Sequence, residues 1–347
     1  MTLQSLLGCT LPLIQAPMAG SHNHTLTAAV CNAGGLGSLA CALFDASALR
    51  LELEALTRKT TQPFNLNFFC HTPPRVDAAR DAAWRTALRP YYAELDIDPA
   101  SISSGPGRLP FSAEMADVLD EFPPAVVSFH FGLPAAELLA RVKACGAKVL
   151  SSATTVEEAR WLEAHGADAI IAQGLEAGGH RGMFLSEDLN SQLGTFALLP
   201  QIVQAVQVPV IAAGGIADAQ GVRAAMALGA SGVQVGTAYL CCDEASTSAI
   251  HRAALLSPAA QHTALTNLFS GRPARGIVNR VMRELGPISP LAPAFPLATS
   301  AIAPLRSQAE SQDSGDFSPL WAGQNTSGCQ AIGAAELTAQ LAQGFTH

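Results

Sequence analysis

Ala169-Ile170-Ile171-Ala172-Gln173-Gly174-Leu175-Glu176-Ala177-Gly178-Gly179-His180-Arg181-Gly182 is the stretch that decides how the rest of the chain is read. Ala169 to Ala172 is a short, uninterrupted apolar run, the pattern of a strand buried on both faces. It meets Gln173 and then a loop in which glycines flank a single histidine. Glycine tolerates positive φ and lets a backbone approach a flat or anionic ligand closely. A titratable ring among glycines, just beyond a buried strand, has the layout of an active-site loop. A Gly-rich turn carrying a surface histidine by chance would read the same way, so the remainder of the chain has to decide.

Outward from that stretch the same unit recurs. Short apolar runs near 13–16, 34–40, 65–69, 125–130, 148–151, 209–213 and 231–235 are each followed by a helical pattern or a turn leading into one. Leu49, Leu53 and Leu56 share one face of a helix over 46–59, and Thr154 or Thr155 with Glu157 and Glu158 marks a helix start at 155–165. Eight strand-then-helix units predict an α/β fold of the (β/α)8, or TIM-barrel, type. A doubly wound open sheet is the rival, but no GxGxxG follows the first strand. The barrel is expected over 1–240, with an insertion at about 70–124 that is too long for a plain loop. A mostly helical, irregular lid should cover the mouth over 241–327, and 328–347 should return as a helix docked on the barrel.

Composition narrows the class. The chain has 347 residues, 49% of them hydrophobic and only 14% charged, which suits a large interior of buried strands. A net charge of −8 without a Lys/Arg cluster argues against a nucleic-acid surface. Eight cysteines without a CxxC pair read as reduced thiols of a cytoplasmic protein. Leu6-Leu7-Gly8-Cys9 imitates a lipoprotein cleavage site, but no basic residue precedes it and its apolar run is short. Prolines 287, 290, 293, 296 and 304 interrupt the uncharged segment 285–305, so no membrane span is expected there.

In such barrels the site lies at the C-terminal ends of the strands, with a phosphate held after strands seven and eight. Those strands end in Gly214-Gly215-Ile216 and Gln234-Val235-Gly236-Thr237, where bare amides favour an anion without Lys or Arg. The other ends supply Ala16-Pro17-Met18, Asn67, His130 and Gln173. Side-chain amides suit a heterocycle with mixed donor and acceptor edges, such as a flavin, and Pro17 and Met18 could flank its face. Loop fastening is the plainer role for Asn67 and Gln173. Of nine histidines, His130 and His180 stand out because both follow buried strands on the active face. His22 reads as a loop lining rather than a metal ligand, since no Cys, Asp or Glu lies at a matching spacing, and His165 and His347 read as solvated.

At this point the motifs resemble those of the nitronate monooxygenases, formerly called 2-nitropropane dioxygenases. They are Gln15-Ala16-Pro17-Met18-Ala19-Gly20, Pro63-Phe64-Asn65-Leu66-Asn67, Val127-Ser128-Phe129-His130-Phe131-Gly132, Glu176-Ala177-Gly178-Gly179-His180-Arg181-Gly182, Ala212-Ala213-Gly214-Gly215-Ile216, Ser270-Gly271-Arg272-Pro273-Ala274-Arg275-Gly276 and Trp321-Ala322-Gly323-Gln324. The resemblance spans nearly the whole chain. It implies FMN held by Asn67, Gln173, Gly178, Gly179, Gly214, Gly215 and the Gln234–Thr237 loop, beside Ala16, Pro17 and Met18. It implies His180 as the catalytic histidine, with His130, Met18 and His22 on the substrate side. It also implies O2-dependent oxidation of alkyl nitronates, typically propionate 3-nitronate, to carbonyl compounds and nitrite, by a monomer or homodimer.

Two departures fall where the substrate mouth is expected. Ser21-His22-Asn23-His24 replaces the usual Val-Ser-Thr-Pro, and 292–305 lacks the tyrosines and lysine that relatives often carry there. The second departure predicts a weaker preference for a carboxylated nitronate. Two other functions fit the same residues: an FMN-dependent NAD(P)H reductase of enoyl thioesters or quinones, and a non-redox barrel holding a phosphorylated metabolite. Whether His180 removes a proton from a nitroalkane or holds an anionic nitronate stays open in the sequence.

Overall fold

The computed structural model describes residues 2–102 and 107–345, so His347 lies outside the described residues. Its strands are β1 (Leu13–Gln15), β2 (Gly37–Ala40), β3 (Phe64–Phe69), β4 (Val126–His130), β5 (Lys148–Ala153), β6 (Ala169–Gln173), β7 (Gly179–His180), β8 (Val210–Ala213), β9 (Gly232–Val235), β10 (Thr263–Thr266) and β11 (Ala274–Ile277). β1 to β6 with β8 and β9 form one parallel sheet in the order β1-β9-β8-β6-β5-β4-β3-β2. Leu36 closes it on β1: its N–H donates to the Leu13 carbonyl at 2.8 Å, and its carbonyl accepts from Gln15 at 3.0 Å. The architecture is the expected (β/α)8 barrel.

The residues filling the barrel explain why it closes. At the N-terminal end, Ile14, Leu36, Val126, Leu150, Ala169, Ile171 and Ile211 pack together, and the short helix Leu3–Leu7 plugs them from below. Nearer the C-terminal end the filling becomes polar. Asn65 Nδ2 donates to the hydroxyls of Ser38 and Ser128, each at 2.9 Å, and Asn67 Nδ2 donates to Ser128 at 2.9 Å. Buried polar groups are tolerated when paired in this way, and the layer forms the floor of the mouth.

The expected helices are present within a few residues of their sequence-read ends. Asp45 caps Ala46–Thr57, and Thr155 caps Val156–Ala164. Neighbouring Thr154 donates both its backbone N–H and its hydroxyl to Glu158 instead, each at 2.7 Å. After β9 the chain leaves the barrel, and it rejoins the helix ring as Ala334–Ala342, which packs between the helices His24–Asn32 and Ala219–Ala227. It thereby takes the eighth place in the helix ring, with Leu337 and Leu341 buried in the barrel's outer core.

The segment in between forms one body with the insertion. Trp84, Leu88 and Tyr92 of the insertion helix Ala78–Glu94 pack on Ala301, Ile302 and Leu305 of Ala298–Glu310. Tyr92 Oη donates to the Ala301 carbonyl at 2.6 Å. The sequence reading of 241–327 as helical and irregular omitted β10 and β11, which pair antiparallel with each other and with β7. Those runs have four residues each and Arg272-Pro273 breaks the pattern between them, so only the tertiary pairing makes them strands.

If Ala334–Ala342 is the eighth ring helix, Leu341→Ala should cost about 2–5 kcal/mol, the usual range for a buried Leu truncation. Urea unfolding checks this, and a loss below about 1 kcal/mol would show that the helix is an appendage.

Candidate active site

The C-terminal ends of the strands converge on one cavity. It is bordered by Ala16, Pro17 and Met18 after β1, Asn67 in β3, His130 in β4, Gln173 and the loop Gly178–His180 at β6 and β7, Gly214 and Gly215 after β8, and Gln234, Gly236 and Thr237 at β9. Two candidate residues do not border it. Val235 packs in the core under the ring helices, because alternation along β9 points its neighbour Gln234 inward. His22 is buried behind the β1 loop, where Nδ1 lies 2.9 Å from the Met18 carbonyl and Nε2 accepts from the Ala40 N–H at 3.3 Å. It therefore positions Met18 and lines nothing. His24 is paired with Glu52 at 2.8 Å.

The histidine loop is held from several sides. Gln173 Nε2 donates to the His180 carbonyl at 2.9 Å, and its Oε1 accepts from the Gly182 N–H at 2.7 Å. Gln173 therefore does fasten the loop, and each end of its amide keeps one further hydrogen-bonding position. Arg181, fully buried, donates to the Gly174 carbonyl at 2.7 Å, the Gln173 carbonyl at 2.8 Å and Gln192 Oε1 at 3.0 Å. Pairing with β11 fixes the other edge, with Ala274 opposite His180.

These restraints present two imidazoles to the cavity. His130 Nε2–H donates to the His180 carbonyl at 3.1 Å, so Nδ1 is the acceptor and takes the Ser152 hydroxyl at 3.0 Å. His180 Nε2 lies 2.8 Å from Ser270 Oγ, which leaves Nδ1 for a ligand. Burial pulls the His130 pKa down to about 4. Burial, with Arg108 and His130 nearby, holds His180 well below the usual histidine range. Both rings are therefore neutral at pH 7. Around His180 stand Phe69, Phe131, Phe295 and Trp321, with ring centres 5.4–6.1 Å away. None of the residues bordering the cavity is an Asp or Glu.

The opposite side of the cavity is a cradle of backbone. Gly214 and Gly215 have φ of 114° and 75°. A Cβ on Gly178 would sit 2.6 Å from the Gly323 nitrogen and 2.7 Å from the Ala322 carbonyl carbon, so only glycine fits there. The helix after Gly215 is capped by Asp218, whose carboxylate accepts from the Gly221 N–H. The 3-10 turn Thr237–Cys241 starts with no side-chain cap. The C-terminal segment clasps both loops: Asn325 Nδ2 donates to the Gly215 carbonyl at 3.0 Å, and the Gly323 N–H donates to Thr237 Oγ1 at 2.9 Å. Gln234 Oε1 is buried without a hydrogen-bond partner among the described residues.

Sequence reasoning did not single out Phe69, Arg108, Phe295, Ser270 or Asn325 as site residues. Ser270 and Trp321 lay within quoted motifs, which was a usable signal. Phe69 ends β3 on the same face as Asn67, which was a signal too. Arg108 had none, because it is set at the mouth by packing between distant segments.

Comparison with known proteins agrees with this geometry. The family model described as nitronate monooxygenase matches residues 1–344. The chain is 44% identical to a nitronate monooxygenase of Paraburkholderia phytofirmans, over 98% of this chain and 93% of that one. It is 43% identical to one of Pseudomonas aeruginosa, over 97% of each. A solved structure of nitroalkane oxidase from Streptomyces ansochromogenes superposes with a TM-score of 0.89 at 39% identity, covering 99% of both chains.

The neutral histidines make the fold acid-sensitive. His22 and His130 are held near 4 in the fold against about 6.5 unfolded. Between those values the unfolded chain takes up protons that the folded one refuses. Stability should thus fall as pH drops from 6.5 towards 4, by about 1.4 kcal/mol per pH unit for each such group. Urea midpoints at pH 7.5 and 5 report it, and equal midpoints would mean that the rings are charged in the fold.

Proposed function

The chain belongs to the nitronate monooxygenase family, and on that footing we propose that it oxidises preformed nitronates to carbonyl compounds and nitrite, with FMN held in the cavity and O2 as second substrate. The observation that carries the reading is the neutral His180 in a lining without carboxylates. A depressed imidazole is a weak base for taking a carbon-bound proton, whereas a carboxylate-free aromatic chamber suits a substrate that arrives already anionic. An anion beside His180 favours its protonated form, so the ring gains a charge as the substrate gains a partner.

The cavity fits a flavin. Its orphaned acceptor, Gln234 Oε1, answers an N–H on a heterocycle edge, and Asn67 with the free positions of Gln173 supplies further polar contacts. The Gly214–Gly215 and Gly236–Thr237 backbone would hold the phosphate, clasped by Asn325 and Gly323. The chemistry a bound flavin supplies is acceptance of electrons from the nitronate and their delivery to O2. His180, steadied by Ser270, binds and orients the nitronate oxygens; Met18 and the aromatic rings exclude water, and His130 fixes the backbone that carries His180.

Two measurements test this. With ethyl nitronate and nitroethane as a matched pair, nitrite formation should favour the nitronate by at least about 100-fold in kcat/KM, and His180→Asn should lower the nitronate rate roughly 10- to 100-fold, the worth of a hydrogen bond to a charged group. Flavin content should not change. Comparable wild-type rates on the two substrates would overturn the reading and restore His180 as a base.

Gly215→Val should give a folded but colourless protein, because a Val at φ 75° distorts the cradle. Full flavin absorbance in that variant would place the phosphate elsewhere. A colourless wild type, purified under conditions that retain flavins, would point to a non-redox phosphate-binding barrel.

A further inference from the structure

Two thiols meet across the seam between the turn after β9 and the C-terminal segment that covers it. Cys241 ends the 3-10 turn Thr237–Cys241, and Cys329 lies just beyond the Gly323 and Asn325 that clasp the cavity loops. Both side chains are buried in one cluster with Leu240 and Ala322, Cys241 being 1% exposed and Cys329 9%. Thr237 is held by both ends of the covering segment. Its hydroxyl accepts from the Gly323 N–H at 2.9 Å, and its carbonyl accepts from Cys329 Sγ at 3.3 Å. Gly328 permits the approach, since a Cβ there would stand 2.1 Å from the Ala217 carbonyl oxygen. The segment is thus seated on the loops after β8 and β9 at once. The activity derived above uses neither sulfur.

The pairing is selective. Cys242, adjacent in sequence, packs the other way, into the outer core with Tyr239 under the ring helices. Of the eight cysteines, all free, Cys241 is the one whose thiol is held below its usual range. A hydrogen bond from Cys329 does this against the effect of burial, and the nearby Arg252 guanidinium adds to it. Arg252 is fixed there by donating to the Cys241 carbonyl at 2.6 Å and the Cys242 carbonyl at 2.7 Å. The same hydrogen bond pushes the Cys329 thiol up, so the first proton lost belongs to the pair. Burial alone pushes the others up, Cys9 to about 11 and Cys31 and Cys242 to about 12. The thiolate is the form that reacts with oxidants, which singles out the Cys241–Cys329 pair.

We propose that Cys241 and Cys329 form an oxidation site, which hydrogen peroxide converts to a disulfide that fastens the C-terminal segment over the Gly215 and Thr237 loops and slows the loss of FMN. Cys329, the more exposed of the two, offers a small oxidant its approach. The charged sulfur of the pair attacks one peroxide oxygen, the O–O bond breaks, and hydroxide leaves a sulfenic acid behind. Hydroxide takes the proton of the second thiol. That sulfur attacks the sulfenic sulfur, the S–S bond forms, and the sulfenic oxygen leaves as water with the proton first released. Two thiols are oxidised and one peroxide is reduced to two waters. The bridge stands on the thiol pair alone, whereas its effect on flavin rests on the FMN reading above.

Wild-type holoenzyme treated with a small molar excess of hydrogen peroxide should lose two thiols and two hydrogens in mass. Digestion should then yield one pair of peptides joined through Cys241 and Cys329. Flavin release on dilution, followed by free-flavin fluorescence, should slow about tenfold or more in the bridged protein, within the reach of a native cross-link. Dithiothreitol should restore the original rate. Cys242→Ser should bridge as the wild type does, whereas Cys241→Ser and Cys329→Ser should neither bridge nor slow their flavin release under peroxide. Amide exchange over 321–329 should slow on bridging, with or without flavin. A bridge between other cysteines, sulfinic acid in place of a bridge, or a bridge that leaves exchange or flavin release unchanged would overturn the proposal. Were the protein colourless, the flavin reading would fail by itself, and the bridge with the exchange over 321–329 would still judge the oxidation site.

Discussion

A fully buried guanidinium without a hydrogen-bonded carboxylate is the constraint on which the site depends. Arg181 follows β7 and reaches back to the end of β6, spreading its charge over the Gln173 and Gly174 carbonyls and the Gln192 amide. Hydrogen bonds to a charged donor are stronger than neutral ones, and breaking a buried set leaves the charge unpaired. The turn between Gln173 and Arg181 is therefore closed from inside. His180 is the residue next to the clamp, so its ring position follows from that closure. β7 can then pair with β11, which carries the lid's hairpin onto the same loop.

The division of labour follows from chemistry. The barrel interior changes from aliphatic at its base to Ser and Asn near the mouth, where the Asn65 and Asn67 amide N–H groups donate to the Ser38 and Ser128 hydroxyls. Above that layer one wall is bare backbone, which can hold an anion without a counter-charge. The other wall is aromatic, with two imidazoles that burial keeps neutral. The C-terminal segment that clasps the Gly215 and Thr237 loops comes from outside the barrel proper. The long excursion after β9 therefore completes the site as well as covering it.

What could be read from the sequence had local causes. Ala169–Ala172 announced a buried strand because four apolar residues in a row cannot alternate. Gly178 and Gly214 marked close approaches that the structure confirms as steric, a Cβ at either lying 3.0 Å or less from backbone atoms. His130 and His180 were legible because each ends or follows a buried strand, which places it at the barrel mouth once the barrel is recognised. Val235 was overread for want of strand phase, since a one-residue step along β9 moves a side chain from the mouth to the helix layer. His22 was overread because its ring turns back on its own loop.

By itself the sequence determined the periodicity, and with it the barrel, the active end and the glycine cradle, because strand alternation, helix caps and backbone freedom are properties of neighbours along the chain. Only the tertiary structure decided that Ala334–Ala342 is the eighth ring helix, that His180 is neutral and held by Ser270 ninety residues away, and that Arg108 stands beside Phe295. Those facts depend on burial and on contacts between distant segments. Desolvation, which sets the charge of a histidine and the need of an arginine for a partner, has no value until the chain is packed.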